Sequence, residues 1–391
     1  MKNVKCFKTL LFAHFFKRVL KHLLSLNPAK PITTGMKNLY FLFISFLLLN
    51  VVQGRAQSSI GFQTHYGTYL TKSPKADYLK DSYSFFNEIY YQRQTDGSKA
   101  WHNANNLPQW GVGFFYGSTG SQRHIGNMAG LAPFINIPIV KTKSFSSKLR
   151  AAMGLGWVQK PYNKINNHKN VLIGSHLNGY MGFLWQNEWQ LTKRLSFNAG
   201  FSFTHLSNGG STLPNLGLNI PAATVGLRYG AAQSTAPKTF ENPFKRARWQ
   251  YSLYAGGGIK QAPWVESKRY LITTLTGEVG KAYQLGIVSA GAVVHINPSL
   301  EVHPLGIPSL KRTGNFLQGG VFAAYEHNLG KLSIPLQLGA YVWNKDLSPQ
   351  LFQNIGLRYR VAPSWKLQAL LKTHMGQADH IQLGVGYTFK R

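Results

Sequence analysis

Cysteine and acidic residues are scarce in this sequence. Its 391 residues include one cysteine and 12 acidic residues, against 43 lysines and arginines, and only 14% of all residues are charged. A single cysteine excludes a disulfide framework within the chain. No uncharged apolar run of 18 or more residues occurs after residue 56. The body of the chain therefore has no predicted membrane-spanning helix.

The first 56 residues have the pattern of a leader. A basic start at Met36-Lys37 leads into a largely apolar run and then into Gln53-Gly54-Arg55-Ala56. This order is typical of a cleaved signal peptide. We therefore predict a signal peptide over 36–56, with Gln57 as the first mature residue and 1–35 as an upstream over-extension of the reading frame. A long basic leader and a basic amphipathic helix are the alternatives.

The excess of positive charge persists without the leader. Residues 1–56 hold nine basic residues, Cys6 and no acidic residue, so residues 57–391 carry a net charge of +22. The basic residues are scattered and form no single basic helix, which does not favour a nucleic-acid partner. Contacts with anionic lipid head groups and a simple solvated rim are both open interpretations. The scattered positions include Lys141, Lys143, Lys148, Lys164, Lys169, Lys245, Arg246 and Arg248.

Short alternating segments follow from Gln57 onward. Alternation with period two indicates half-buried strands, and it is clearest over 332–342 and 381–389. Sixteen candidate strands can be counted, and merging errors make 12 to 16 the predicted range. With 39 glycines and 13% aromatic residues, the pattern predicts an all-β fold over 57–391, namely a transmembrane antiparallel barrel of the outer-membrane type. The closing run Gly384–Phe389 resembles the C-terminal aromatic strand of such barrels.

The strand that ends at Ser207 carries a base and a hydroxyl on its apolar face. Phe197, Phe201 and Phe203 share this face with His205 and Ser207, and a membrane barrel turns its apolar face toward lipid. Strand residues two apart stand about 6.5–7 Å from each other on one face, which lets an imidazole reach a hydroxyl. His205 and Ser207 are therefore a candidate general base and nucleophile.

A third residue should hold the imidazole in one tautomer. Asn219 falls on the apolar face of the next strand, where its side-chain carbonyl can accept the imidazole N–H. Glu188, on the preceding strand, is expected to point into the barrel. We therefore rank Asn219 above Glu188. Amides around Asn208, Gly209 and Gly210 are candidate oxyanion-hole donors. No His, Cys, Asp and Glu cluster has metal-ligand spacing, so we predict neither a metal site nor a cofactor.

The lengths of the connections predict an orientation. Leu191-Thr192-Lys193-Arg194 is a tight turn, whereas about ten residues follow Ser207 before the next strand. Outer-membrane barrels place short turns in the periplasm and long loops outside. His205 and Ser207 would then lie level with the outer leaflet, which lipopolysaccharide occupies.

The stretch around these residues resembles a family signature. His205-x-Ser207-Asn208-Gly209-Gly210, followed by Pro214-Asn215-x-Gly217-x-Asn219, is similar to the signature of the PagL-type lipid A 3-O-deacylases, or acyloxyacyl hydrolases. The resemblance covers about 193–230. It implies an outer-membrane barrel that cleaves an acyl ester of lipid A, with Ser207 as nucleophile, His205 as base, and Asn208 and Gly210 at the oxyanion hole. The family's catalytic Glu falls at Asn219, and the chain is much longer than the eight-stranded members.

Together these features predict a Gram-negative outer-membrane serine esterase that acts on lipid A within lipopolysaccharide. The alternative is a non-enzymatic outer-membrane barrel, either a pore or a structural protein that binds lipopolysaccharide. A soluble β-sandwich is a more distant reading. The sequence leaves open which acyl chain is removed and whether the protein forms a homodimer.

Overall fold

The strands predicted from the sequence are present in the structure. A computed structural model describes residues 57–71, 74–230, 248–262, 267–302, 316–344 and 350–389. The predicted upstream extension at 1–35 and the predicted signal peptide at 36–56 lie outside these residues, as do Lys245 and Arg246. Sixteen antiparallel strands within the described ranges confirm the all-β prediction at the upper end of its strand count.

The first eight strands form a closed barrel. Each strand pairs with the next along the chain, and β8 returns to pair with β1. These strands are β1 (Ser58–Gly67), β2 (Ser84–Gln94), β3 (Gln109–Ser118), β4 (Asn127–Lys141), β5 (Phe145–Val158), β6 (Leu177–Gln190), β7 (Leu195–Ser207) and β8 (Leu218–Gly230). A short helix, α1 (Ala100–Ala104), lies between β2 and β3. Among the described residues, no helix is long and apolar enough to cross a membrane.

The remaining eight strands close a second barrel. In it, β9 pairs with both β10 and β16. These strands are β9 (Arg248–Gln261), β10 (Arg269–Ala282), β11 (Gly286–Ile296), β12 (Leu317–Leu329), β13 (Leu332–Asn344), β14 (Leu351–Arg360), β15 (Trp365–His374) and β16 (Gln377–Phe389). The sequence led us to expect one barrel over 57–391. Alternation specifies the outward side chains but not where a barrel closes, so the division into two barrels is a finding of the structure.

Ion pairs occupy the interiors of both barrels. In the first barrel, Glu188 contacts Lys148 Nζ at 2.9 Å and Arg228 Nη2 at 2.8 Å. In the second, Arg358 contacts Glu278 at 2.7 Å and Glu326 at 2.6 Å. All six side chains are at least nine-tenths buried. Lys148 is therefore an interior residue of β5, which corrects its interpretation as a loop residue available to lipid head groups.

An apolar cluster fills the end of the first barrel at which β7 ends. Leu206 and Leu218, which are paired across β7 and β8, are completely buried in it together with Ile220. These side chains alternate with the outward-facing His205 and Asn219 along the same two strands. The cluster therefore anchors the backbone that carries the candidate site. Its other buried members include Tyr69, Phe86, Phe115, Ile125, Met128, Val158, Leu172 and Ile173.

Candidate active site

His205 and Ser207 lie at the end of β7, above an exposed apolar face. Phe201 and Phe203 on the same face are 65% and 38% exposed, whereas His205 is half-buried and Ser207 is buried. Inward burial of the alternate residues Thr204 and Leu206 fixes this outward direction of the two polar side chains. The structure thus places both residues on the outer wall of the first barrel.

Asn219 lies directly opposite His205 in the β7–β8 register. The distance between His205 Nδ1 and Asn219 Oδ1 is 2.7 Å. Because a side-chain carbonyl oxygen only accepts hydrogen bonds, Nδ1 is the protonated nitrogen and Nε2 of the neutral ring carries the lone pair. The backbone carbonyl of Asn219 also accepts the amide of Leu70 at 2.7 Å. Asn219 is therefore held from two sides while it orients the imidazole.

The hydroxyl of Ser207 accepts two hydrogen bonds. The Gly209 amide donates to Ser207 Oγ at 3.1 Å, and Asn215 Nδ2 donates to it at 2.9 Å. Asn215 Oδ1 in turn accepts the amide of Asn208 at 3.2 Å. Both bonds to Oγ would stabilise negative charge as it develops on that atom. Asn215 is a site residue that the sequence reasoning did not assign, although the Pro214-Asn215 step lies within the quoted signature.

The side chain of Asn208 organises the loop after β7. Its Oδ1 accepts the amide of Gly210 at 3.0 Å, and its Nδ2 donates to Ser175 Oγ and to the carbonyl of Thr212. The amides of Asn208, Gly209 and Gly210 are therefore all engaged within this loop, and that of Gly209 is the one bonded to Ser207 Oγ. The predicted oxyanion-hole role of Asn208 and Gly210 stays a prediction.

The second barrel packs against this loop at two glycines. Gly209 and Gly210 have φ values of +65° and +80°, a region that favours glycine. A Cβ atom on Gly209 would overlap Ile381 Cγ1, and one on Gly210 would lie 2.6 Å from the carbonyl oxygen of Asp379. Both contacts come from β16, so glycine is required here by backbone conformation and by close approach together.

Gln261, the last residue of β9, bonds the same loop twice. Its backbone amide donates to the carbonyl of Gly210 at 3.1 Å, and its Oε1 accepts the amide of Leu213 at 2.7 Å. Arg269 of β10 adds a bond to Thr212 Oγ1 at 3.0 Å. Four residues of the second barrel therefore contact the loop that follows Ser207, namely Gln261, Arg269, Asp379 and Ile381. Within the described ranges, no group of three or more His, Cys, Asp or Glu side chains is arranged to hold a metal ion.

Sequence comparison identifies the family of both barrels. The family described as "Lipid A 3-O-deacylase (PagL)" matches residues 87–228, which include His205, Ser207 and Asn219. The domain described as "Acyloxyacyl hydrolase, C-terminal domain" matches residues 249–391. The chain belongs to the PagL lipid A 3-O-deacylase family. The first PagL match extends well beyond the 193–230 hairpin on which the resemblance rested, and the second corresponds to the second barrel. A comparison with curated proteins finds no match.

Solved outer-membrane barrels resemble the PagL-family chain only distantly. Neisserial surface protein A is 10% identical over 45% of this chain and 97% of its own, with a TM-score of 0.32. A mutant porin of Rh. blastica is 9% identical over 85% of this chain and 100% of its own, with a TM-score of 0.16. Pseudomonas aeruginosa OccK9 is 10% identical over 85% and 97%, with a TM-score of 0.22.

Proposed function

We propose that the protein is an outer-membrane serine esterase that hydrolyses an ester-linked acyl chain of lipid A. The observation that carries the proposal is the hydrogen bond of 2.7 Å from His205 Nδ1 to Asn219 Oδ1, two strand positions from Ser207. It leaves the lone pair of the neutral imidazole on Nε2, the nitrogen that acts as general base in serine hydrolases. Membership of the lipid A deacylase family supplies the substrate class.

The reaction would proceed by acyl transfer to Ser207. His205 Nε2 takes the Ser207 proton while Oγ bonds to the ester carbonyl carbon, and the carbonyl oxygen becomes the oxyanion. Collapse of this intermediate breaks the bond to the sugar oxygen, which receives the proton from Nε2. A water molecule, deprotonated by Nε2, then attacks the acyl-Ser207 carbonyl. The bond between that carbonyl carbon and Oγ breaks, Oγ takes the proton back from Nε2, and the fatty acid is released. Every proton moves through one imidazole, and no cofactor is needed.

Asn219 would orient the imidazole without neutralising its charge. Its carbonyl accepts the Nδ1 hydrogen and holds the productive tautomer, as the asparagine of Cys-His-Asn proteases does. It carries no negative charge to offset the imidazolium that forms during attack. We therefore expect slower turnover than an acidic residue at position 219 would give.

The outer surface of the barrels supports a location in the outer membrane. Outward side chains include exposed Trp110, Phe114, Leu275 and Leu383, as expected for a wall that faces lipid. Ser207 lies at the barrel end that carries the ten-residue connection 208–217, opposite the four-residue turn 191–194. The long loops would face outward from the cell, so Ser207 would meet lipid A in the outer leaflet.

The pore alternative finds little support in the barrel interiors. Eight strands enclose just enough space for side chains, and buried Arg228, Glu188 and Arg358 occupy that space. A structural protein that binds lipopolysaccharide would use the same outer wall. Only the esterase would catalyse a reaction at Ser207, so activity at this residue distinguishes the esterase from the binding protein.

The test is mass spectrometry of lipid A from cells that express the wild type or Ser207→Ala. We expect the wild type to remove one hydroxyacyl mass and the variant to leave lipid A intact, while both barrels stay heat-modifiable on gels. Identical lipid A spectra from the two strains would refute the esterase and favour the lipopolysaccharide-binding alternative.

A further inference from the structure

Ile381 of the second barrel lies beside the candidate nucleophile. Gly209, whose amide bonds Ser207 Oγ, lies so close to Ile381 that an added Cβ would overlap Ile381 Cγ1. Gly179, which pairs with Ser207 across β6 and β7, would bring an added Cβ to 3.8 Å from Ile381 Cδ1. The isoleucine side chain therefore lies close to the cross-strand partner of Ser207 and to the residue whose amide bonds the Ser207 hydroxyl.

The backbone around Ile381 is held at this place. Asp379, two residues earlier on β16, is buried, forms an ion pair with the partly exposed Lys260 of β9 and presents its carbonyl to Gly210. Gln261, next to Lys260, bonds the Ser207 loop at Gly210 and Leu213. Adjacent strands of the second barrel thus fix the loop and the isoleucine in one arrangement.

Ser207 has both polar side chains and an apolar side chain around it. His205, Asn215 and Asn219 supply polar atoms for the ester and for proton transfer. Ile381 supplies an apolar surface where the acyl part of an ester must lie, because the first carbons of the chain adjoin the carbonyl that Ser207 attacks. Hydrocarbon packed there is removed from water and from the polar groups of the site.

We propose that the second barrel forms one wall of the acyl-chain site, with Ile381 in contact with the first carbons of the chain. This inference rests on the proposed esterase function. Ile381 limits the width available beside the carbonyl and is therefore a specificity-determining residue. The substrates it selects are esters of acyl chains that are slender next to the carbonyl, and bulk at that position is disfavoured.

The test compares two esters with the purified full-length protein in detergent micelles. The probes are p-nitrophenyl decanoate and p-nitrophenyl 2-methyldecanoate, which differ by one methyl group beside the carbonyl. We measure kcat/KM for both and take the ratio of branched to straight ester. Ile381→Ala should raise this ratio about tenfold, the discrimination that one methyl group typically supports. Ile381→Val should raise it less.

A matched control lies three strands away from β16 in the same barrel. Val342 on β13 is outward-facing, β-branched and 70% exposed, and Val342→Ala should leave the ratio unchanged. A purely structural role of Ile381 would slow both esters equally, and an unchanged ratio in Ile381→Ala and Ile381→Val would overturn the proposal. Failure of the wild type to exceed Ser207→Ala on either ester would instead refute the esterase function itself.

Discussion

The two barrels share an architecture and differ at the end of their seventh strands. Each has eight antiparallel strands, an apolar outer wall and an interior arginine paired with carboxylates. In the first barrel, β7 ends with His205 and Ser207 on the outer face. In the second, β15 carries Leu371 and Thr373 outward, and its terminal His374 turns inward to bond Tyr341 Oη at 3.0 Å.

The two histidines differ in the face of the strand that they occupy, since His205 points outward and His374 points inward. A histidine on the outer face can meet a ligand in the membrane, whereas the same residue on the inner face joins the packed interior. The barrel is thus a scaffold on which one wall carries the site. The second barrel lacks an outward His-x-Ser pair at this strand end but supplies Gln261 and Ile381 to the loop after Ser207.

Removal of the outward-facing His205 is the strongest test of the difference between the two barrels. Ser207→Ala aside, His205→Ala should give the largest loss, about 10⁴-fold in kcat, because no other described group is placed to move the serine proton. The matched change His374→Ala in the second barrel should leave kcat unchanged. Release of fatty acid from lipid A measures both variants. Comparable losses in the two would contradict the assignment of the site to the first barrel.

Asn219 gives the next largest effect. Asn219→Ala removes the acceptor of the Nδ1 hydrogen, so we expect kcat to fall about 10²-fold. Asn219→Asp keeps an acceptor at nearly the same place and adds a charge that offsets the imidazolium, so kcat should rise about tenfold. Steady-state kinetics on one ester measures both changes. A fall in Asn219→Asp as deep as that in Asn219→Ala would show that the side-chain charge is harmful here.

Much of the fold and part of the site follow from the sequence, because both depend on alternation. Parity alone sends Glu188 inward and His205, Ser207 and Asn219 outward, and each lies where parity puts it. The sequence did not predict Asn215 as a site residue because it lies in a loop, where the direction of side chains does not alternate regularly. Ile381 and Gln261 were not predicted because each lies at least 48 residues along the chain from the residue it contacts in the loop. The alternation within one strand does not indicate how two barrels pack together.

Removal of the hydrogen bond from Gln261 to the loop after Ser207 should have a smaller effect on kcat. Gln261→Ala removes the acceptor of the Leu213 amide but leaves the strand intact, so Ser207 loses part of its positioning. We expect kcat to fall about tenfold with little change in KM, because displaced catalytic groups slow the chemical step. Gln353→Ala is the control, since Gln353 bonds Thr373 and Met375 within the second barrel. Equal turnover in the two variants would remove the second barrel from the catalytic arrangement.

The smallest effect on turnover is expected inside the first barrel. Glu188→Gln leaves Lys148 and Arg228 buried near an uncharged amide, which should lower the free energy of unfolding by about 3–5 kcal/mol. The kcat of the folded fraction should stay unchanged, because Glu188 lies behind the barrel wall from His205. Urea unfolding followed by tryptophan fluorescence measures the loss, and Glu326→Gln provides the equivalent change in the second barrel. A fall in kcat specific to Glu188→Gln would mean that this carboxylate, and not Asn219, supports the imidazole.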